Sequence, residues 1–263
     1  MWKRFYDNMA WILKFFRTFA SSFEIEGKKE MVSGTETGAE AIQHISELWL
    51  PLTDEQRQLL LDNVTIHQYK KNDIIYHERS TPHDLFCVLK GKVKIYKEGV
   101  GGRPQIVRMA SLQEFFGYRA GLADTDYITE AAAFEDTTLC LIPIPVIKQL
   151  IAENQQIAFF FIQHLAKLLG DADENTVSLT QKHLRGRLAE AILRLKDNFG
   201  TEENTSTLAI EPSREDVANL SNMTTSNAIR TLSSFVSEGL IATDGRRITI
   251  LDEQQLHQIS KMG

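Results

Sequence analysis

Cysteine is nearly absent from this chain of 263 residues: there are two, Cys87 and Cys140, each inside an apolar alternating run and neither in a C-x-x-C pair. Such usage excludes a disulfide framework and a thiolate zinc site, and makes a reducing cytosol the expected compartment. Long apolar runs are also missing. The N-terminal Met9-Ala10-Trp11-Ile12-Leu13 and Phe15-Phe16 are interrupted by Lys14 and Arg17, short of a spanning helix, and no clear leader cleavage site follows. No stable membrane association is expected. The chain has no G-x-x-x-x-G-K-[ST] phosphate loop, no G-x-S-x-G elbow and no H-E-x-x-H pair, so no enzyme reading stands. A basic excess is lacking as well, since 29 Lys and Arg against 35 Asp and Glu give a formal net charge of -6. Any affinity for nucleic acid must then come from a few locally placed arginines.

What is present is concentrated in residues 213–241, SREDVANLSNMTTSNAIRTLSSFVSEGLI. Ser213 and Asp216 have capping-pair spacing, and Val217, Ala218 and Leu220 give a short helix its apolar face. That helix is expected to end near Ser221-Asn222. Thr224 or Thr225 can cap a second, on which Ala228, Ile229, Leu232 and Phe235 recur at three- and four-residue spacing before Gly239 stops it. With the apolar residues turned inward, Thr225, Ser226, Asn227 and Arg230 occupy the other side. In a helix-turn-helix, that part of the second helix reaches base edges, and a guanidinium can bond guanine in bidentate fashion. Asp244-Gly245 between the β-prone runs 240–243 and 246–250 then predicts a hairpin, a wing carrying Arg246 and Arg247 toward phosphates.

Upstream, short β runs from about Ile66 to Pro143 are separated by Gly91, Gly99, Gly101-Gly102 and Asp124, which predicts a barrel, roll or sandwich. Lys90-Gly91-Lys92 reads as a tight hairpin turn. Beyond Pro145 the pattern becomes helical, and Ala158, Ile162, Leu165, Leu169, Ala172, Thr176 and Leu179 fall on a four-then-three spacing suited to a symmetric partner. Residues 184–195 begin the DNA-binding part with another amphipathic helix, Arg185-Gly186-Arg187 near a hinge, and residues 197–206 form a polar loop. Asp171-x-Asp173-x-Asn175 resembles the start of a calcium loop, but Thr176 replaces its turn glycine, so it reads as solvated helix. Residues 1–30 are expected to be an extension, an amphipathic surface helix, or sequence upstream of a true start at Met31.

As a whole, residues 52–250 resemble the CRP/FNR family of bacterial transcription regulators. The resemblance rests on Leu89-Lys90-Gly91-Lys92-Val93-Lys94-Ile95-Tyr96, Glu114-Phe115-Phe116-Gly117, Arg185-Gly186-Arg187-Leu188-Ala189 and the segment after Ser213. It implies an α+β chain: a cyclic-nucleotide-binding-like β-roll over 31–150, a dimerisation helix over 151–183, and a winged helix-turn-helix over 184–263. It also implies a homodimer on a promoter palindrome, in contact with RNA polymerase, with Ser213, Thr224, Thr225, Ser226, Asn227, Arg230, Arg246 and Arg247 at the DNA.

The departures from that family concern the signal. Cyclic-AMP binders follow Phe-x-Gly with a ribose-binding Glu and later carry Arg-Ser or Arg-Thr for the phosphate. Here the first position is Tyr118, the pair falls near Tyr127-Ile128, and Arg119 stands at the wrong offset, so cyclic AMP is not expected. An effector cavity is expected between the segment holding Gly117, Tyr118, Arg119, Tyr127, Ile128 and Thr129 and the long helix, with an aromatic, mostly apolar lining. No cysteine precedes Cys87, so the four-thiolate ligation from one protomer that holds the iron-sulfur cluster of the oxygen-sensing branch is excluded and that cluster is not expected, and His67, His77 and His83 are the candidate haem ligands. A small-ligand sensor or a dimeric scaffold acting on protein partners without DNA remains the alternative.

Overall fold

Two short helices, α1 (Ser46–Trp49) and α2 (Asp54–Asn63), begin the part of the chain that the computed structural model describes, residues 46–262. The readings made for residues 1–30 lie outside it. Thr53 caps α2 through a capping box with Gln56, a local device that fixes where the helix starts.

Eight strands follow: β1 (Thr65–Tyr69), β2 (Ile74–Tyr76), β3 (Asp84–Lys90), β4 (Val93–Glu98), β5 (Pro104–Ala110), β6 (Phe115–Phe116), β7 (Glu130–Ala133) and β8 (Thr137–Pro143). A one-turn helix, α3 (Tyr118–Leu122), separates β6 from β7. The strands form two four-stranded antiparallel sheets ordered β1-β8-β3-β6 and β2-β7-β4-β5, the β-roll. Strand β3 is buried from Leu85 to Leu89 because it is covered on both faces, which its continuous apolar run already implies. The turn at Gly91 is tight but is not a hairpin, because β3 and β4 belong to different sheets and the turn carries the chain from one to the other. Gly91 adopts φ +83°, and a Cβ there would sit 2.6 Å from the carbonyl oxygen of Asp136, so only glycine passes this corner.

Helix α4 (Ile144–Glu153) leads into α5 (Gln155–Gln181), which Asn154 caps through the amides of Gln156 and Ile157. The early turns of α5 bury Ile157, Phe160 and Phe161 against the first sheet, with Leu165 and Leu168 at the edge of the same core. After a break at Lys182-His183, α6 (Leu184–Phe199), α7 (Arg214–Leu220), α8 (Thr225–Ser237), the ribbon β9 (Ile241–Asp244) with β10 (Arg247–Ile250), and α9 (Glu253–Met262) make the last part of the fold. Arg185 to Arg187 form the first turn of α6 rather than the break itself, and α6 runs through residues 197–199, which the sequence reading gave to a loop. Leu188, Ile192, Val217, Leu232, Phe235, Ile248 and Leu256 close this core, and Ile106, Met109 and Phe134 of the β-roll join it. The roll and the helical part therefore share one apolar seam.

Candidate nucleic-acid interface

Helix α7 starts where the capping pair predicts. The Ser213 hydroxyl accepts from the Asp216 amide at 3.0 Å, and the Asp216 carboxylate accepts from the Ser213 amide at 3.1 Å and its hydroxyl at 2.6 Å. That hydroxyl is committed to the cap, so Ser213 is a structural residue of the motif rather than a free side-chain contact. Asn222 takes a left-handed φ of 48° and turns the chain, and Thr224 caps α8 by accepting from the Asn227 amide at 3.3 Å. The helix buries Ala228, Leu232 and Phe235, spaced by four and three residues. Ile229 is not part of this inward face: it lies about 100° around the helix from Ala228 and is 46% exposed.

Thr224, Thr225, Ser226 and Arg230 are exposed along the first turns of α8, and Asn227 is half-buried. Arg230 donates to the Asn227 side-chain oxygen at 2.5 Å, so the guanidinium and the amide are held together on the outer side of α8. At the other end of α8, Arg185 donates to Glu238 at 2.7 Å and to the Ser234 hydroxyl at 3.1 Å, and its guanidinium stacks 4.8 Å from the Phe235 ring centre. The Arg185 pairing holds the Glu238 carboxyl down at about 2. Arg185 thus ties α6 to the reading helix.

The wing pairs Ile241 with Ile250 and Asp244 with Arg247, leaving Gly245 and Arg246 as its two-residue loop, one residue later than the sequence reading set it. Gly245 has φ +57°, as such a turn requires. Arg214 donates to the Gly245 carbonyl at 2.8 Å and so fixes the wing against α7. Arg246 is exposed and has no hydrogen-bond or carboxylate partner among the described residues, whereas Arg247 is ion-paired with Glu202. The two wing arginines are therefore not equivalent.

Along α5, Phe159, Ile162, Leu169 and Val177 are exposed apolar side chains, Ile162 by 59% and Leu169 by 64%. Ala172 and Thr176 are exposed beside them, while Ala158, Leu165 and Leu179 are half-buried. Leu165 packs on the core of the roll and is not part of the free face. Phe159 and Val177 lie five full turns apart on the same side of the helix, about 60° around from Ile162, so the exposed apolar face is broader than the expected seam and displaced to one side of it.

The segment expected to line an effector cavity does not form one lining. Gly117, at φ +82°, turns the chain so that Tyr118 points inward, where it is 1% exposed and meets Phe161 of α5 edge-on at 5.3 Å. Its hydroxyl has no partner among the described residues. Tyr127 is buried and stacks on Tyr76 at 3.8 Å, and Thr129 meets the Tyr76 hydroxyl at 3.4 Å. Arg119 and Ile128 instead face outward. Tyr118 and Tyr127 are thus packed into two separate apolar clusters of the roll and do not share one wall. His67, His77 and His83 are all exposed, with His77 3.0 Å from Glu130, which is not the buried setting of a haem ligand. Among the described residues no group of three or more His, Cys, Asp or Glu is arranged to hold a metal, and no helix is long and apolar enough to cross a membrane.

A β-roll followed by a long helix and a winged helix-turn-helix is the architecture of a two-part transcription regulator. The sequence matches the cyclic nucleotide-binding domain over residues 66–154 and the Crp-like helix-turn-helix domain over residues 186–259. It is 21% identical to the CRP-like cAMP-activated global transcriptional regulator of Mycobacterium tuberculosis over 189 residues, 72% of this chain and 84% of that one. It is 23% identical to the transcriptional activator protein FnrA of Stutzerimonas stutzeri, covering 79% of this chain and 86% of FnrA. Its fold is similar to that of FixK2 from Bradyrhizobium japonicum, with TM-score 0.68 at 24% identity over 74% of this chain and 96% of FixK2. The chain belongs to the CRP/FNR family of transcription regulators.

Proposed function

We propose that the protein acts as a homodimer on a pseudo-palindromic promoter site, with half-sites one helical turn or about 34 Å apart. The observation that carries this reading is α8 itself, a capped helix with Ala228, Leu232 and Phe235 buried and Thr225, Ser226 and Arg230 exposed along its first turns. Asn227 and Arg230 are the base readers, and Thr224 and Arg246 contact phosphate. Arg247 contributes less, since a duplex must compete with Glu202 for it. The exposed apolar stripe of α5 around Ile162 and Leu169 is the dimer face, and the dimer works in the cytoplasm through RNA polymerase and not as an enzyme. Activity is gated by an effector other than cyclic AMP, a reading supported by the burial of Tyr118 and Tyr127 where the nucleotide would need an acid and a cation.

The deciding experiment is salt-dependent binding to duplex DNA. Arg230→Ala is expected to lose about 1–3 kcal/mol on the preferred site and to relax preference at one base pair per half-site. Arg246→Ala should weaken all sequences alike and flatten the salt slope by about one phosphate contact. Equal, sequence-independent losses for both would remove Arg230 from base reading, and no duplex binding at low salt would leave the protein-partner alternative. Leu169→Asp puts a charge on the free face of α5 without touching the monomer core and should give monomers that fail on the palindrome. Sedimentation of that variant as a dimer would move the interface elsewhere.

A further inference from the structure

The only two cysteines of the chain stand directly opposite each other in the first sheet, Cys87 on β3 and Cys140 on β8. Opposed residues of an antiparallel pair project to the same side of the sheet, and both side chains enter the same apolar cluster, fully buried. The backbone fixes which kind of pair this is. Val88 donates its amide to the Glu114 carbonyl at 3.1 Å and accepts from the Gln113 amide at 2.7 Å, so its polar groups point away from β8. By alternation those of Cys87 point toward β8, and Cys87 and Cys140 are a hydrogen-bonded pair with Cα atoms about 5.5 Å apart. A disulfide spans Cα separations of about 4.4–6.8 Å, so closing one needs side-chain rotation and no change of register. Both thiols are free. The pair lies beneath the start of α5: Cys87 is also opposed to Phe115, whose ring meets Phe160 edge-on at 5.7 Å and His164 at 6.2 Å. Leu48 of α1, Leu60 of α2, and Ile147 and Leu150 of α4 join the same cluster and seal it from water. Burial pushes both thiols up, Cys140 to about 12, so the closed fold holds them protonated and unreactive.

We propose that Cys87 and Cys140 are a modification site, closed into an intramolecular disulfide beneath α5 by a hydroperoxide. Reaction proceeds from a local opening of the helical cover, because neither sulfur is reachable in the closed fold. One thiol gives up its proton and its sulfur bonds a peroxide oxygen as the O–O bond breaks. The released hydroxide takes that proton and leaves as water, and a sulfenic acid remains. The second sulfur displaces the hydroxyl, which takes the second thiol proton and leaves as another water. The two thiols lose two electrons and the peroxide gains them. In a reducing compartment the pair stays as thiols, so the bridge is a response to oxidant and not part of the folding framework. The guarded position makes that response slow, tuned to sustained exposure. The loop it closes contains β4 to β7, so the bridge ties together the ends of most of the roll. Drawing the sulfurs to about 2 Å tightens the core under Phe160 and Phe161, which carries the oxidised state to α5.

The probe is hydrogen peroxide, applied to the reduced full-length protein. After quenching, unfolding and alkylation, intact mass is expected to show the loss of two hydrogens and of both alkylatable thiols, and dithiothreitol should restore both. Urea below the unfolding transition should speed the reaction several-fold, since it opens the cover. The oxidised protein should melt about 5 °C higher, because the bridge constrains the unfolded chain. Amide exchange over residues 157–165 should slow on oxidation while exchange in α8 stays as it was. Cys87→Ala and Cys140→Ala should each abolish the two-hydrogen loss and the melting shift, and one variant that folds is enough for the comparison. Two thiols still alkylatable after prolonged exposure, a bridge between two chains, or oxygen added to the sulfurs with no bridge overturns the proposal. A bridge that leaves exchange in α5 unchanged overturns its link to the helix. None of these measurements uses DNA, so failure of the duplex-binding reading leaves the result standing on its own.

Discussion

The interior of the β-roll and the surface of the reader are held together by different means. In the reader, the polar side chains that start and end the helices have defined partners: Ser213 and Asp216 cap α7, Thr224 caps α8, and Arg185 clamps Glu238, while one buried nitrogen each of Arg187 and Arg214 has none. Inside the roll, Tyr118 carries a hydroxyl that is fully buried with no partner among the described residues, beside the stacked pairs Tyr76 with Tyr127 and Phe86 with Phe116. Burying an unpaired hydroxyl costs free energy, and a well-capped helix does not incur that cost. The reader is thus organised by local hydrogen bonds at the helix ends around an apolar core that the roll joins. The roll is organised by aromatic volume, at some polar cost.

The largest test of this contrast is Phe235→Ala. Phe235 is fully buried at the centre of the reader and also lies under the Arg185 guanidinium, so truncation leaves a cavity and removes the stacking partner. A loss of about 3–5 kcal/mol is expected by denaturant titration. A loss below about 1 kcal/mol would mean that the reader relaxes around the gap and is not tightly packed.

Legibility in the sequence follows the same division. Both caps of the helix-turn-helix, its left-handed turn and its glycine stop are written within a few residues of where they act, which is why α7 and α8 could be read almost to the residue. Ile229 was misassigned because hydrophobicity alone does not say which of two adjacent apolar residues a short helix buries. The roll was legible as a series of strands but not as two sheets. The turn at Gly91 looks like any hairpin, and only the distant pairing of β3 with β8 and of β4 with β5 and β7 reveals that it crosses between sheets. The two-residue β6 and the exposed β1 carry too few alternating positions to stand out, and α2, α4 and α9 were not read as separate elements. The residues grouped beside Tyr118 were harder to place for a related reason: residue types suggest one lining, but which core each ring joins depends on Phe161 and Tyr76, both distant in the chain.

A smaller effect of opposite sign is expected in the roll. Tyr118→Phe keeps the ring against Phe161 and deletes only the unpartnered hydroxyl, so the variant should be as stable as the natural protein or more stable by about 1 kcal/mol. Cyclic AMP should shift the melting temperature of neither protein. A clear loss of stability in Tyr118→Phe would show that the hydroxyl has a structural role, and a melting shift with cyclic AMP would show that the roll opens to admit a nucleotide.

The smallest effect concerns the clamp at the end of α8. Arg185 hydrogen-bonded to Glu238, with help from Ser234, lowers the carboxyl from its ordinary 4.5 to about 2. A carboxyl lowered on folding adds stability that is fully present above the unfolded value, and that stability fades as pH falls from about 4.5 through about 2. Glu238 is 40% exposed, so solvent screening keeps the contribution within the range of surface pairs, about 0.2–1 kcal/mol. Glu238→Gln should therefore cost less than about 1 kcal/mol at neutral pH, and the gap to the natural protein should narrow as the buffer is taken below pH 4.5 and as salt is raised. A gap that stays constant with pH and salt would mean that Glu238 acts through packing or a neutral hydrogen bond. The reader would then owe less to charge pairing than Arg185, Ser234 and Glu238 suggest.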